Sequence, residues 1–112
     1  MPDQRSPCPI SCALELIGDK WTLLIVRDLM LGKTRYSDFA ASPERIPTNL
    51  LAARLRSLES HGFLERTRYS ERPPRYAYTL TPKGQDLLPA MRALARCSVD
   101  HVPGAAEPPP PF

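Results

Sequence analysis

This sequence offers few residues suited to covalent or metal chemistry. Of its 112 residues, two are histidine and three are cysteine. His61 and His101 lie far from Cys8 and Cys12 and lack ligand spacing, so no zinc site or other metal is expected. His61 reads instead as part of a helix stop. An odd set of thiols (Cys8, Cys12, Cys97) argues against a disulfide framework. There is no glycine-rich phosphate loop, no metal-ligand cluster and no nucleophile–base pair in a recognisable context. Neither an enzyme nor a cofactor is therefore expected, and no catalytic residue is assigned. Long apolar runs are missing too: none approaches the roughly 20 residues of a membrane span. The stretch Met1-Pro2-Asp3-Gln4-Arg5 has no apolar segment behind a basic start, so no signal peptide is expected. A cytoplasmic location with no membrane partner follows as the expectation.

What is present is a single small domain's worth of chain, 42% hydrophobic, a size at which extra burial is often recruited by oligomerising. The net charge is only +3, but its distribution is uneven. Between Pro43 and Tyr76 stand seven arginines (Arg45, Arg54, Arg56, Arg66, Arg68, Arg72, Arg75) and four glutamates (Glu44, Glu59, Glu65, Glu71), a difference equal to the whole chain's excess. Every base there is arginine, the side chain that forks onto phosphate or guanine.

Hydrophobic periodicity orders the chain. Residues 1–7 read as a flexible tail. Pro9 suits a first helical position with Cys8 before it, and Ile10, Ala13, Leu14 and Ile17 recur at helical spacing. Gly18 ends that helix and Asp19 caps a second, Trp21 to Leu31, apolar nearly all round and so expected to be the buried axis. Thr34 to Tyr36 suggests a short strand and Ser37 to Ala41 a short helix, with Tyr36 and Phe39 inward. A helix from Pro47 or Thr48 to about Ser60 carries Leu51, Leu55 and Leu58 as its inner stripe. From Phe63 the period changes: Leu64–Tyr69 and Tyr76–Leu80 read as a hairpin with a long basic tip, Ser70 to Arg75. Thr81-Pro82 restarts a helix by cap and proline, running to about Arg96 with a kink at Pro89. The stretch 100–112 is proline-rich, nearly uncharged and expected to be disordered.

A short helix, a turn, a second amphipathic helix and a basic hairpin make a winged helix-turn-helix. The fold class expected is α+β, mostly α, with additional N- and C-terminal dimerisation helices around a domain spanning 8–99. Opposite its leucines, the 48–60 helix carries Thr48, Asn49, Ala52, Ala53 and Arg56. Asn pairs bidentately with adenine and Arg with guanine, while alanines let a helix sit deep in the major groove. Arg68, Arg72 and Arg75 of the hairpin suit phosphates or the adjacent minor groove. Double-stranded DNA is the expected partner. The rival reading is a winged-helix protein-interaction module without sequence-specific DNA binding. The helices 10–17 and 84–96 carry more apolar positions than one small sheet and helix cover, which points to a dimer interface through Ile10, Leu14, Leu87, Met91 and Leu94.

Four segments in order make the sequence resemble the HxlR-type regulators of bacteria, within the wider MarR-like winged-helix group. They are Cys8-Pro9-Ile10; Leu16-Ile17-Gly18-Asp19-Lys20-Trp21-Thr22-Leu23-Leu24-Ile25; Leu51 to Arg66, with Leu55-Arg56-Ser57-Leu58-Glu59 and Gly62-Phe63-Leu64-Glu65-Arg66; and Pro73-Pro74-Arg75-Tyr76-Ala77-Tyr78 followed by Leu80-Thr81-Pro82-Lys83-Gly84. The similarity covers about residues 8 to 96. It implies a transcription regulator, repressor or activator, that works as a homodimer joined by the first, part of the second and the last helix. One recognition helix would serve each half of a near-palindromic operator. Two departures stand out: Pro47 where a Ser-like cap is usual, and a last helix expected to end early, at Cys97-Ser98-Val99. Several members of the family it resembles use a cysteine at the place of Cys8 to sense oxidants or electrophiles, while others carry it with no sensing role, so the resemblance makes Cys8 a candidate redox sensor and an oxidant or small molecule a candidate effector. A thiol at a helix N-terminus faces the positive end of the dipole, an environment that favours thiolate. The plainer role for Cys8 is a packed or merely exposed thiol. Cys12, one turn on, reads as a core residue or a resolving partner.

Overall fold

The computed structural model describes residues 5–112. Six helices and one hairpin follow in the order α1 (Pro9–Ile17), α2 (Thr22–Met30), α3 (Tyr36–Ala40), α4 (Thr48–Ser60), β1 (Leu64–Glu71), β2 (Pro74–Leu80), α5 (Pro82–Gln85) and α6 (Leu88–His101). Of the tail expected over 1–7, residues 1–4 lie outside the described residues. Arg5 pairs with Glu15 of α1 at 2.6 Å.

Local signals account for most boundaries. Pro9 occupies the first turn of α1, where its missing N–H costs nothing. The Asp19 carboxylate accepts from the backbone N–H groups of Trp21 (2.9 Å) and Thr22 (3.0 Å), satisfying donors left open at the start of α2. Asp38 does the same for α3, accepting from the backbone N–H of Arg35 (3.0 Å) and Thr34 (3.3 Å). Thr81 accepts from Gly84 N–H at the start of α5 and donates its hydroxyl to the Gly62 carbonyl. Gly84 is a packing requirement: a Cβ there would stand 2.1 Å from the Phe63 carbonyl oxygen.

The core gathers Ile25 and Val26 of α2, Phe39 of α3, Leu51, Leu55 and Leu58 of α4, then Ile46, Phe63, Leu64 and Met91. Burying each leucine of α4 contributes about 2 kcal/mol before chain entropy is counted. Phe39 meets Tyr78 edge-on, ring centres 6.0 Å apart, and so docks the hairpin base on α3. The strands pair antiparallel, Leu64 opposite Leu80 and Arg68 opposite Tyr76, with an irregularity between Arg68 and Ser70. Only Leu64 of β1 is buried, so the hairpin projects from the domain as a wing. Its base is joined by Thr34-Arg35: Arg35 bridges to Ala77, and Tyr78 N–H donates to the Thr34 carbonyl at 2.7 Å.

Several expectations differ from this architecture. The strands continue to Glu71 and from Pro74, so the wing tip is the pair Arg72-Pro73 rather than six residues. No helix kinks at Pro89. The chain breaks after α5, and Pro89 lies in the first turn of α6, where proline is tolerated. Instead of ending near Cys97, α6 continues to His101 because nothing before Pro103 opposes it. Tyr36 is exposed rather than inward, its hydroxyl donating to the Thr48 carbonyl at 3.1 Å. In α2, Leu23, Leu24, Leu29 and Met30 are half-buried, and the buried set is Thr22, Ile25, Val26 and Asp28. The segment 103–112 folds back on α6, with Pro108, Pro111 and Phe112 half-buried, where composition alone pointed to disorder.

Candidate nucleic-acid interface

The inner stripe of α4 turns its opposite side outward. Thr48, Asn49 and Arg56 are exposed, and Ala52 and Ala53 are half-buried. Between the exposed positions the surface is therefore low, since alanine adds one methyl. Arg54 belongs elsewhere: its Nε lies 3.0 Å from Asp19 Oδ2, off the line of a hydrogen bond, tying α4 to the loop before α2. Burial raises the Asp19 carboxyl. The Thr22 hydroxyl, the Trp21 and Thr22 amides and the Arg54 charge outweigh it and hold the carboxyl below its ordinary value.

The turn that presents α4 is pinned by charge. Arg27 of α2 forks onto Glu44 at 2.7 and 2.8 Å and onto Asp28 at 3.0 and 2.9 Å. Asp28 is 1% exposed and also accepts from the Ser42 hydroxyl. The bond from Arg27 holds the Glu44 carboxyl below its ordinary range. In the same turn Arg45 adopts a left-handed backbone, φ 57°, and is exposed.

The wing divides its arginines. Arg68 donates to Glu71 and to the Tyr76 hydroxyl, both at 3.1 Å. Those two bonds raise the guanidinium, Tyr76 first, and the same contact lowers the Tyr76 phenol. Arg66 pairs with Glu59 at 3.3 Å and covers the Tyr76 ring at 4.3 Å, bracing the wing against α4. Arg72 and Arg75 are exposed at and beside the tip, and among the described residues neither they nor Arg56 has an ion-pair partner. Of the three wing residues singled out in the sequence, the structure thus leaves two free and holds the third. Arg35 was missed: exposed beside the wing base, it covers the Tyr69 ring at 4.5 Å. Its only sequence signal is a base in the middle of the strand-like triplet Thr34 to Tyr36.

The expected dimer residues fall into two groups. Ile10, Leu14 and Leu94 are 72%, 50% and 55% exposed, and Leu87 is half-buried. Met91 belongs to the core of a single chain and is only 9% exposed. Helix α1, though largely apolar, buries none of its residues within one chain. All three thiols are free. Cys8 is exposed at the start of α1, Cys97 is exposed on α6, and the half-buried Cys12 thiol donates to the Ser6 carbonyl at 3.6 Å. Among the described residues no cluster of three or more His, Cys, Asp or Glu could hold a metal, and no helix is long and apolar enough to cross a membrane.

Comparisons with known proteins agree with this geometry. The model of the HxlR-like helix-turn-helix matches residues 16–104. An HTH-type transcriptional regulator of Synechocystis is 36% identical over 93 residues, covering 83% of this chain and 69% of its own length. Another from Mycobacterium tuberculosis is 39% identical over 97 residues, covering 87% of this chain but 61% of its own length. Among solved structures, PA1607, a candidate transcription factor, superposes with a TM-score of 0.80 at 35% identity, over 95% of this chain and 75% of that one. The oxidised form of the redox regulator HypR superposes with a TM-score of 0.75 at 30% identity, over 84% and 97%. The proteins matched are transcription regulators, not enzymes.

Proposed function

The chain belongs to the HxlR-like family of DNA-binding helix-turn-helix transcription regulators, and from that premise we propose that it works as a homodimer on a near-palindromic operator. The observation that carries this reading is the outward face of α4 beside an arginine-tipped wing. Thr48, Asn49 and Arg56 stand clear of the protein, Ala52 and Ala53 keep the surface between them low, and Arg72 and Arg75 have no internal partner. In this reading Asn49 and Arg56 meet base edges in the major groove. Arg72 and Arg75 grip the backbone, and Arg68 contributes less because Tyr76 and Glu71 already hold it.

The homodimer rests on α1. A nine-residue, largely apolar helix with no fully buried residue in its own chain, and with Ile10 and Leu14 exposed, calls for a partner surface, to which Leu94 would add. A twofold pair would set two recognition helices about 34 Å apart, one turn of B-DNA. Whether the regulator represses or activates is a property of its operator's position.

Redox response is a further part of the proposal. The similarity to a protein described as a redox regulator supports it, as does the exposure of Cys8 at the start of the helix that carries the dimer surface. Oxidation at Cys8 would then act on subunit geometry, and through it on half-site spacing.

Selection of bound sequences from a random duplex library, with reduced and with oxidised protein, tests the reading. A recurring two-part motif lost or altered on oxidation is expected. Weak capture without sequence preference would instead favour a winged helix that docks on protein.

A further inference from the structure

The first strand of the wing carries one residue more than its pairing uses. Arg68 stands opposite Tyr76 and Ser70 opposite Arg75, so Tyr69 has no partner across the hairpin. An extra residue of this kind re-aims a side chain out of the strand's alternation. The Tyr69 ring meets Arg35, whose guanidinium covers it at 4.5 Å. Stacking occupies the face of a guanidinium and leaves its in-plane N–H fork free. Arg35 is exposed, and among the described residues it has no ion-pair partner. The carboxylate nearest to it in sequence, Asp38, is engaged by the backbone N–H groups of Thr34 and Arg35.

Arg35 and Tyr69 line a cleft of about 370 Å³ between the start of α3 and the wing, together with Tyr36, Arg75, Tyr76 and Tyr78. Both of its cations are unpaired, and none of the residues lining it is acidic. The Tyr76 hydroxyl accepts from Arg68 and so keeps its own proton to donate. A smaller cleft of about 160 Å³ lies next to it, lined by Ala52 and Arg56 of α4. Tyr36 and Tyr78 line both clefts and are therefore their common wall. The Tyr36 hydroxyl fastens that wall to the first residue of α4, donating to the Thr48 carbonyl at 3.1 Å. Arg35 thus shares one continuous surface with Arg56 on one side of the wall and Arg75 on the other.

We infer that this cleft seats a phosphodiester of the DNA backbone, gripped by Arg35 together with Arg75, between the bases met by α4 and the phosphates met at the wing tip. The inference rests on the DNA-reading face proposed above. Charge complementarity selects the occupant: two unpaired guanidiniums and a donating hydroxyl, with no carboxylate among them, suit the paired oxygens of a phosphate. The common wall selects its source, since a duplex that brings base edges to Arg56 brings its own backbone to the neighbouring cleft. A contact of this kind adds affinity on every sequence and carries no base preference. The unpaired Tyr69 then has a purpose, because its ring holds the Arg35 fork ready.

Binding isotherms over a salt series, for the parent chain, Arg35→Ala and Arg56→Ala on the selected site and on a scrambled duplex, test this. They are joined by a scan in which single phosphates of the selected site are replaced by neutral methylphosphonates. Arg35→Ala is expected to weaken binding on both duplexes and to flatten the slope of log K against log salt by about one unit. One methylphosphonate that weakens the parent chain should leave Arg35→Ala unaffected. Arg35→Gln, which keeps a side chain of similar reach, should repeat both results if alanine loosens the wing. An unchanged slope with every methylphosphonate penalty retained overturns the cleft, whatever the loss of affinity, and makes Arg35 a brace of the wing. Base preferences lost in Arg56→Ala then leave the DNA-reading face standing. Base preferences intact in Arg56→Ala overturn that face, and this inference with it.

Discussion

The carboxylate of Asp28, buried in α2, accepts a hydrogen bond from the hydroxyl of Ser42, which lies in the turn leading to α4. Arg27 closes the arrangement by holding Asp28 and Glu44 together, and Lys33 Nζ approaches Asp28 at 3.7 Å. The position of α4 is thus fixed by charge inside an apolar helix. Replacing Asp28 with alanine strips Ser42 and Arg27 of a buried partner. Urea unfolding should show a loss of about 3 kcal/mol, the scale for breaking a buried pair. Asp28→Asn, which keeps an acceptor, should lose less. A loss within experimental error for Asp28→Ala would show the network to be incidental.

The wing separates free from engaged arginines, and salt dependence reads the difference. Each phosphate contact removed flattens the slope of log K against log salt by about one unit. Arg72→Ala and Arg75→Ala should each do this and weaken binding on every duplex. Arg68→Ala should change the slope less, because Glu71 and Tyr76 hold its guanidinium. Equal slopes for Arg68→Ala and Arg72→Ala would contradict that division.

Acid should act through Asp19 and Glu44. Both carboxyls sit below their ordinary values of 3.8 and 4.5 in the folded chain. Unfolding would return them upward, so the stabilisation is complete above those ordinary values and is lost as pH falls through the lower folded values. The melting temperature should hold steady from neutral pH to about pH 5 and decline below about pH 4. In Glu44→Gln the decline should be shallower. A profile identical to that of the parent chain would remove Glu44 from the account.

Cys8 offers a chemical test. The reduced protein should release DNA on treatment with diamide or a quinone, and Cys8→Ser should not. Release retained in Cys8→Ser would place any sensor at another thiol, with the exposed Cys97 the next to examine.

How far the sequence disclosed this differs from residue to residue. Leu51, Leu55 and Leu58 at helical spacing declared both the α4 helix and its buried side, and the outward placement of Asn49 and Arg56 followed from that geometry. Thr81-Pro82 declared α5 because a cap and a proline act within four residues. Asp28 was silent. In a helix dominated by leucine, isoleucine and valine a single carboxylate reads as a surface residue, and its partner Ser42 comes near only in the fold. Arg68 looked equivalent to Arg72 until strand register set Tyr76 opposite it. The segment 103–112 looked unable to order by composition, yet it gains a seat from α2 and anchors from Arg92 and Arg96, which no local reading weighs.

The central claim is that the exposed face of α4 reads bases, and Arg56 tests it most directly. Affinities of the parent chain and of Arg56→Ala would be measured on the selected site, on each of its single-base variants and on a scrambled duplex. The account predicts a loss of about 1–3 kcal/mol on the selected site, little loss on the scrambled one, and a vanished preference at one base pair per half-site. An equal loss on every duplex, with all base preferences intact, would contradict it.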